Sequence, residues 1–335
     1  MSGIQSVLVH APLRSTESGK QEHKFQGANP HEHKSEHLLA QLEMPEQFKT
    51  VLANAFAGSI MSSGRNSFLV LSGDCLIGDR TMSLTQFQLE GKVALVTGGS
   101  KGLGAAMSRA LALAGADVLI SSRHEDELAR AAAQITAGTQ RRCAWYVADM
   151  GDRQAVRGLG EWAKSRFGKV DILVNNAGTN KPQAIDSIDD ETWDSVMEIN
   201  LNSVMALTRA LVPEMKKRQW GRVIHISSIM GVLSKEKRNV YSATKSALLG
   251  LCRASALDLG AFGITVNCLS PGPFLTDLPA SVLSEAEKKA FSDHTALGRW
   301  GNPEELTGPL LLLASDAGRY ITGCNLLVDG GFTIR

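Results

Sequence analysis

The sequence predicts an α/β fold, a single doubly wound domain built on a seven-stranded parallel sheet. Three observations carry this expectation. Short apolar runs alternate with longer helical stretches from Lys92 onward, the pattern of repeated βαβ units with right-handed crossovers. The 335 residues, 43% of them hydrophobic, supply enough apolar surface for one sizeable core. A glycine-rich turn lies directly between the first strand-like run and the first helix-like run. Sheets of this kind bind ligands beyond the carboxyl ends of their strands.

Runs at 93–97, 118–121, 144–147, 172–175, 223–227, 265–269 and 325–328 read as strands, each short and apolar or β-branched. Stretches at 103–114, 125–137, 153–167, 192–217, 241–259 and 303–313 read as helices, each rich in Ala, Leu, Glu and Arg.

Residues 1–81 differ in character and are expected to form a poorly structured extension ahead of the domain at 82–335. The first forty are polar and hold His10, His23, His31, His33 and His37, five of the eight histidines. Such a composition cannot bury enough apolar surface to offset its ordering entropy; a metal-binding tail is the alternative reading. Residues 48–81 are more apolar but show no sustained period, and a short helix and a short strand are the most expected there. Met82 opens a stretch that reads like the natural start of the domain. The extension is therefore either dispensable or the product of a mis-assigned translation start.

A formal net charge of +1 argues against nucleic acid as a partner, which calls for a clear basic excess. No apolar run approaches the roughly 18–20 residues of a membrane-spanning helix, and residues 1–21 lack the charged start and apolar block expected of a signal peptide. Cys75, Cys143, Cys252, Cys268 and Cys324 are odd in number and scattered, with no C-x-x-C pair. They form neither a disulfide framework nor a zinc site, which points to a reducing, cytoplasmic setting with no metal.

The turn after the first strand reads Thr97-Gly98-Gly99-Ser100-Lys101-Gly102-Leu103-Gly104. Glycines permit the tight turn and a close ligand approach. The helix that follows offers free N–H groups and partial positive charge to a pyrophosphate. The T-G-x-x-x-G-x-G spacing differs from the G-x-G-x-x-G of other dinucleotide folds.

Taken with the motifs downstream, the sequence resembles the short-chain dehydrogenase/reductase family over about residues 85–333. The resemblance implies a Rossmann-type domain with Thr97–Gly104 as the cofactor turn. It implies an adenine contact at Asp149, with Met150 next to it also at the cofactor. Asn175, Asn176, Ala177 and Gly178 match the motif beside the cofactor that steadies the central sheet. Asn200, Ser228, Tyr241 and Lys245 match the catalytic tetrad, and Pro271, Gly272 and Thr276 the segment beside the nicotinamide. A homotetramer is the assembly the resemblance implies.

The second strand ends at Ser121-Ser122-Arg123. An acid there would accept hydrogen bonds from a ribose 2′-OH. Ser122 and Arg123 instead suit a 2′-phosphate, by charge and by the forked donors of arginine. Lys101 in the turn adds a second cation. NADP(H) is the expected cofactor, with NAD(H) as the alternative.

Tyr241 and Lys245 are spaced i, i+4 and share one helix face. A free tyrosine has a pKa near 10, and a nearby ammonium is expected to lower it. Tyr241 follows Ser228 by thirteen positions, as the family pattern requires. In reduction Tyr241 would give the proton and Ser228 would steady the developing alkoxide. Lys245 would hold the nicotinamide ribose. The resemblance implies that Asn200 anchors a water linking Lys245 to solvent. Ser227 is expected to face the sheet, and His225 to be a packed histidine.

Substrate selectivity is expected from residues 180–183, 229–238 and a lid-like stretch at 274–299. Lys181, Lys235 and Arg238 place positive charge there, suited to a carboxylate or phosphate. Leu297-Gly298-Arg299-Trp300-Gly301 followed by Pro303-Glu304-Glu305-Leu306 resembles the branch of gluconate 5-dehydrogenase and related sugar-acid enzymes. Reductases of 3-oxoacyl-acyl carrier protein share it. The leading expectation is a sugar-acid or polyol dehydrogenase. A β-ketoacyl thioester reductase and a non-catalytic NADP(H)-binding sensor are the alternatives.

Overall fold

The computed structural model describes residues 84–276 and 284–335. The expectations for the N-terminal extension, its histidines and the boundary at residue 81 lie outside the described residues.

The strands are β1 (Val93–Thr97), β2 (Asp117–Ser122), β3 (Cys143–Val147), β4 (Ile172–Asn175), β5 (Gly221–Ile226), β6 (Ile264–Pro271) and β7 (Asn325–Val328). They form one parallel sheet in the order β3-β2-β1-β4-β5-β6-β7. Side chains along a strand point alternately to its two faces. Val93 and Leu95 of β1 therefore join Leu173 in one core, while Ala94 and Val96 join Ile172 and Val174 in the other. Every residue of β1 is buried, as a central parallel strand requires.

Helices cover both faces. The first face is covered by α3 (Arg153–Arg166), α5 (Ser203–Arg218) and α6 (Asn239–Leu259), through Leu159, Leu207 and Leu248. The second is covered by α1 (Gly102–Leu113), α2 (Glu125–Thr136) and α8 (Thr307–Ala314), through Leu111, Leu128 and Leu310. All six leucines are fully buried, and truncating one to alanine typically costs about 2–5 kcal/mol. Strand order reverses between β1 and β4. The crevice expected at such a reversal opens beyond their carboxyl ends, where Gly98 and Asn176 follow directly.

Four details differ from the sequence reading. The stretch 192–217 is not one regular helix. It comprises α4 (Asp190–Met197), a wide π turn at Glu198–Asn202, and α5. The amide of Ser203 reaches back five residues to the carbonyl of Glu198, and its hydroxyl donates to the carbonyl of Ile199 at 2.6 Å. Together these bonds accommodate one extra residue in the helix.

The segment at 303–313 likewise opens as a tight 3₁₀ turn, Pro303–Leu306, before α8 begins. A reciprocal cap between Asn302 and Glu305 tightens that turn. The lid-like stretch contains a helix, α7 (Glu285–His294), started by a capping box between Ser284 and Glu287. Residues 277–283 of that stretch lie outside the described residues. Finally, β6 runs on through Pro271. Its neighbour β5 stops at the pair Ile226–Leu269, so the missing N–H of Pro271 breaks no ladder bond on that side.

Candidate active site

The turn after β1 is fastened to the end of β4. Thr97 Oγ1 accepts from the amides of Asn176 and Ala177, both at 3.0 Å. Asn176 Nδ2 returns bonds to the carbonyls of Thr97 at 2.9 Å and Gly98 at 3.2 Å. Thr97 and Asn176 thus act from behind the turn. Only glycine fits at position 104, because a Cβ there would lie 2.0 Å from the Gly98 carbonyl oxygen. Gly98 and Gly102 take positive φ of 65° and 55°, the left-handed region that favours glycine. Lys101 occupies the N-cap of α1 without a side-chain cap bond, so the first N–H groups of that helix stay open to a ligand.

Gly98, Ser100, Lys101, Ser122, Arg123, Asp149, Met150, Ala177 and Gly178 line a single groove beside this turn. Ser121 shares it, and its buried hydroxyl finds no partner within the described residues. An orphaned buried hydroxyl, a glycine cradle and an uncapped helix start fit the residues to a dinucleotide. Leu103 packs instead against the second core. Thr276 sits on the far side of the turn, its Cγ2 3.5 Å from where a Gly102 Cβ would lie. Gly272 packs tightly on Asp329, where a Cβ would come within 2.6 Å.

Glu127, not singled out in the sequence, also lines the groove. It accepts from Lys101 Nζ at 3.0 Å and from Ser100 Oγ at 3.4 Å. Only the topology brings it there, from the first turn of α2. Arg123 has no ion-pair partner among the described residues.

Three of the residues expected to be catalytic, Ser228, Tyr241 and Lys245, converge where β5 ends and α6 begins. Ser228 caps a short 3₁₀ turn, its Oγ accepting from the amide of Met230 at 3.1 Å. Its hydroxyl is near enough to Tyr241 to pull that side chain's pKa down. Lys245 is buried, and its Nζ lies 5.6 Å from the centroid of the Tyr241 ring. The ammonium donates to the carbonyl of Ile226 at 2.8 Å. Burial holds the Lys245 pKa down to about 8.

The expected lowering of the Tyr241 pKa is not found in the free chain. Burial raises it, outweighing the nearby Ser228 hydroxyl and the charge of Arg238, which pull it down. Ser227 also departs from expectation. Its Oγ donates to the carbonyl of Lys245 at 2.9 Å and ties the strand end to α6 instead of facing the sheet.

Asn200 occupies the middle of the π turn and is buried. Its Oδ1 accepts from the amide of Thr179 at 2.8 Å, and its Nδ2 donates to the Thr179 carbonyl at 2.9 Å and to Thr244 Oγ1 at 3.2 Å. A Cβ on Gly178 would lie 3.4 Å from Asn200 Oδ1 and 3.5 Å from Lys245 Nζ. Glycine therefore leaves the space between those two groups open. His225 is fully buried; Asn175 Nδ2 lies 3.1 Å from its Nδ1, and its Nε2 has no partner among the described residues. Burial first, and the charge of Lys245 second, push its pKa down to about 4, so the ring is neutral at pH 7.

Around the mouth, the two loops expected to select substrate are clasped together. Gln183 N donates to the Lys237 carbonyl and Asn239 Nδ2 to the Gln183 carbonyl, both at 3.0 Å. Lys181 donates to Ser195 Oγ at 2.9 Å, and Lys235 lies 5.0 Å over the ring of Phe291 on α7. Arg299 is held by both oxygens of Glu305 at 2.7 Å. Arg238 has no ion-pair partner among the described residues, and its charge is felt by Tyr241. No group of metal-ligating side chains occurs among the described residues, and no described helix is long and apolar enough to cross a membrane.

A family model described as enoyl-(acyl carrier protein) reductase matches residues 98–333. The chain is 38% identical over 254 residues to the 2-dehydro-3-deoxy-D-gluconate 5-dehydrogenase of Pseudoalteromonas atlantica, covering 75% of this chain and 100% of that protein. It is 34% identical over 250 residues to the 3-oxoacyl-(acyl-carrier-protein) reductase of Thermotoga maritima, covering 74% and 100%. Among solved structures it is similar to a gluconate 5-dehydrogenase from Burkholderia cenocepacia in complex with NADP and tartrate. The TM-score there is 0.70 at 34% identity, covering 75% of this chain and 98% of the other.

Proposed function

The chain belongs to the short-chain dehydrogenase/reductase family and is an oxidoreductase of alcohol and ketone groups; from that premise we propose that it exchanges a hydride between NADP(H) and a sugar acid or polyol. The observation that carries this reading is the meeting of Ser228 and Tyr241 in front of the buried cation Lys245.

When bound, the nicotinamide supplies the hydride in reduction and takes it up in oxidation. Tyr241 is protonated in the free chain at neutral pH, which suits it to give its proton to a carbonyl oxygen. Ser228 donates a hydrogen bond that steadies the charge developing on that oxygen. The Lys245 ammonium offsets the charge left on Tyr241 and would hold the nicotinamide ribose. Asn200 stands across the Gly178 gap from Lys245, a position suited to anchoring a water for proton resupply.

Two observations support NADP(H) over NAD(H). Arg123 lines the groove with no ion-pair partner among the described residues, and Ser122 stands where an acid would exclude a 2′-phosphate. The sugar-acid assignment rests on Arg238, which has no ion-pair partner among the described residues and whose charge reaches Tyr241; such a guanidinium suits a carboxylate. The names of the Pseudoalteromonas and Burkholderia proteins, and the tartrate bound to the latter, agree with it. A homotetramer in a reducing cytoplasm is part of the same proposal; Cys143, Cys252, Cys268 and Cys324 are free thiols.

A second reading, reduction of β-ketoacyl thioesters, is favoured by the similarity to the Thermotoga enzyme. Nicotinamide absorbance with the full chain separates the two. Turnover of a 5-ketogluconate-type acid with NADPH is the expected result. Turnover of a β-ketoacyl thioester alone would replace the sugar-acid reading.

A further inference from the structure

Sequence reasoning counts Lys101 and Arg123 as two cations free to meet a 2′-phosphate. The fold alters that count. Glu127 stands in the first turn of α2, behind Glu125 and Asp126, and its carboxylate takes Lys101 at 3.0 Å. Ser100 adds a weaker bond at 3.4 Å from the same phosphate turn. All three side chains line the groove with Arg123. The pair is open enough to exchange: Lys101 is 61% and Glu127 26% exposed, and pairs of that kind are held weakly.

We propose that Glu127 is the residue that sets cofactor selectivity in this groove, restraining Lys101 and admitting NADH alongside NADPH. A phosphate that draws on Lys101 must first displace the Glu127 carboxylate, and it then meets that carboxylate as a neighbouring like charge. A nucleotide without the 2′-phosphate leaves the pair intact. Arg123 provides the remaining attraction for the phosphate. The inference rests on the reading of the groove as a nicotinamide dinucleotide site.

The test is direct binding, with no substrate present. NADPH and NADH are titrated into the full chain, wild type and Glu127→Gln, and followed by the fluorescence of the reduced nicotinamide. Glu127→Gln is expected to tighten NADPH about 3- to 5-fold, the upper scale of a partly exposed ion pair, and to leave NADH within about twofold. Lys101→Met is expected to weaken NADPH and to remove most of the gain in the double variant, because the two residues act as one coupled pair. A Glu127→Gln variant that shifts both nucleotides equally, or neither, would overturn the role given to Glu127. A wild type that binds neither nucleotide would overturn the reading of the groove itself.

Discussion

The ammonium of Lys245 donates to the main-chain carbonyl of Ile226 at 2.8 Å, at the end of the strand that delivers Ser228. The bond fixes the lysine, but burial still penalises its charge. Its pKa is about 8 in the folded chain, against 10.5 for the free group. The unfolded chain therefore holds the proton more tightly, and stability rises with pH between about 8 and 10.5. Below that window the buried charge costs the fold roughly 3 kcal/mol. Lys245→Met is expected to raise the stability of the cofactor-free protein by about 1–3 kcal/mol while abolishing turnover. Thermal unfolding at pH 7 checks it, and a lowered melting temperature would contradict this account.

His225 titrates in the opposite part of the scale. Its folded pKa is about 4 against 6.5 for the free ring. The unfolded chain binds more protons between those values, so the stabilisation is complete above pH 6.5 and is lost as pH falls toward 4. At pH 5 the loss amounts to roughly 2 kcal/mol. Urea unfolding at pH 7 and pH 5 should show that loss in the wild type. His225→Leu should lose less over the same interval. Equal losses would mean that other groups control the acid response.

Tyr241→Phe keeps the ring and deletes the proton. Turnover is expected to fall about 10²- to 10⁴-fold, the usual worth of a positioned acid or base, with nicotinamide binding within about twofold. Unchanged turnover would move proton transfer to another group and sink the mechanism.

Two glycines in helices make opposite predictions. A Cβ at Gly104 meets the Gly98 carbonyl oxygen at 2.0 Å, whereas nothing lies within 4 Å of one at Gly250. Gly104→Ala is expected to disrupt the phosphate turn, costing about 3 kcal/mol or more and abolishing dinucleotide binding. Gly250→Ala is expected to gain about 0.5–1 kcal/mol from helix propensity alone. Chemical denaturation of both variants, with a binding titration for the first, gives the comparison.

Regular features were legible in the sequence because their signals are local. The strands at 93–97, 172–175 and 325–328 coincide with β1, β4 and β7, and the i, i+4 spacing placed Tyr241 and Lys245 on one helix. The π turn escaped because one added residue barely disturbs an apolar period across a long helix. The start of α7 does carry a local signal, Ser284-x-x-Glu287, within a stretch whose other residues read as a lid. The Lys101–Glu127 pair spans 26 positions and exists only because the β1 turn and α2 meet in the fold. The raised pKa of Tyr241 was hidden for a related reason: spacing reveals a neighbouring charge, whereas the degree of burial depends on the whole site.

The π turn also constrains what the chain can become. Deleting one residue between Glu198 and Asn202 would restore an even helical pitch, yet everything after it would swing by about 100° around the axis. Leu207 and Leu211, both buried against the sheet, would then turn toward water. Length is therefore locked at this point in the chain. Substitutions can accumulate around Asn200, but a single-codon deletion there would require much of one face of the protein to be rebuilt.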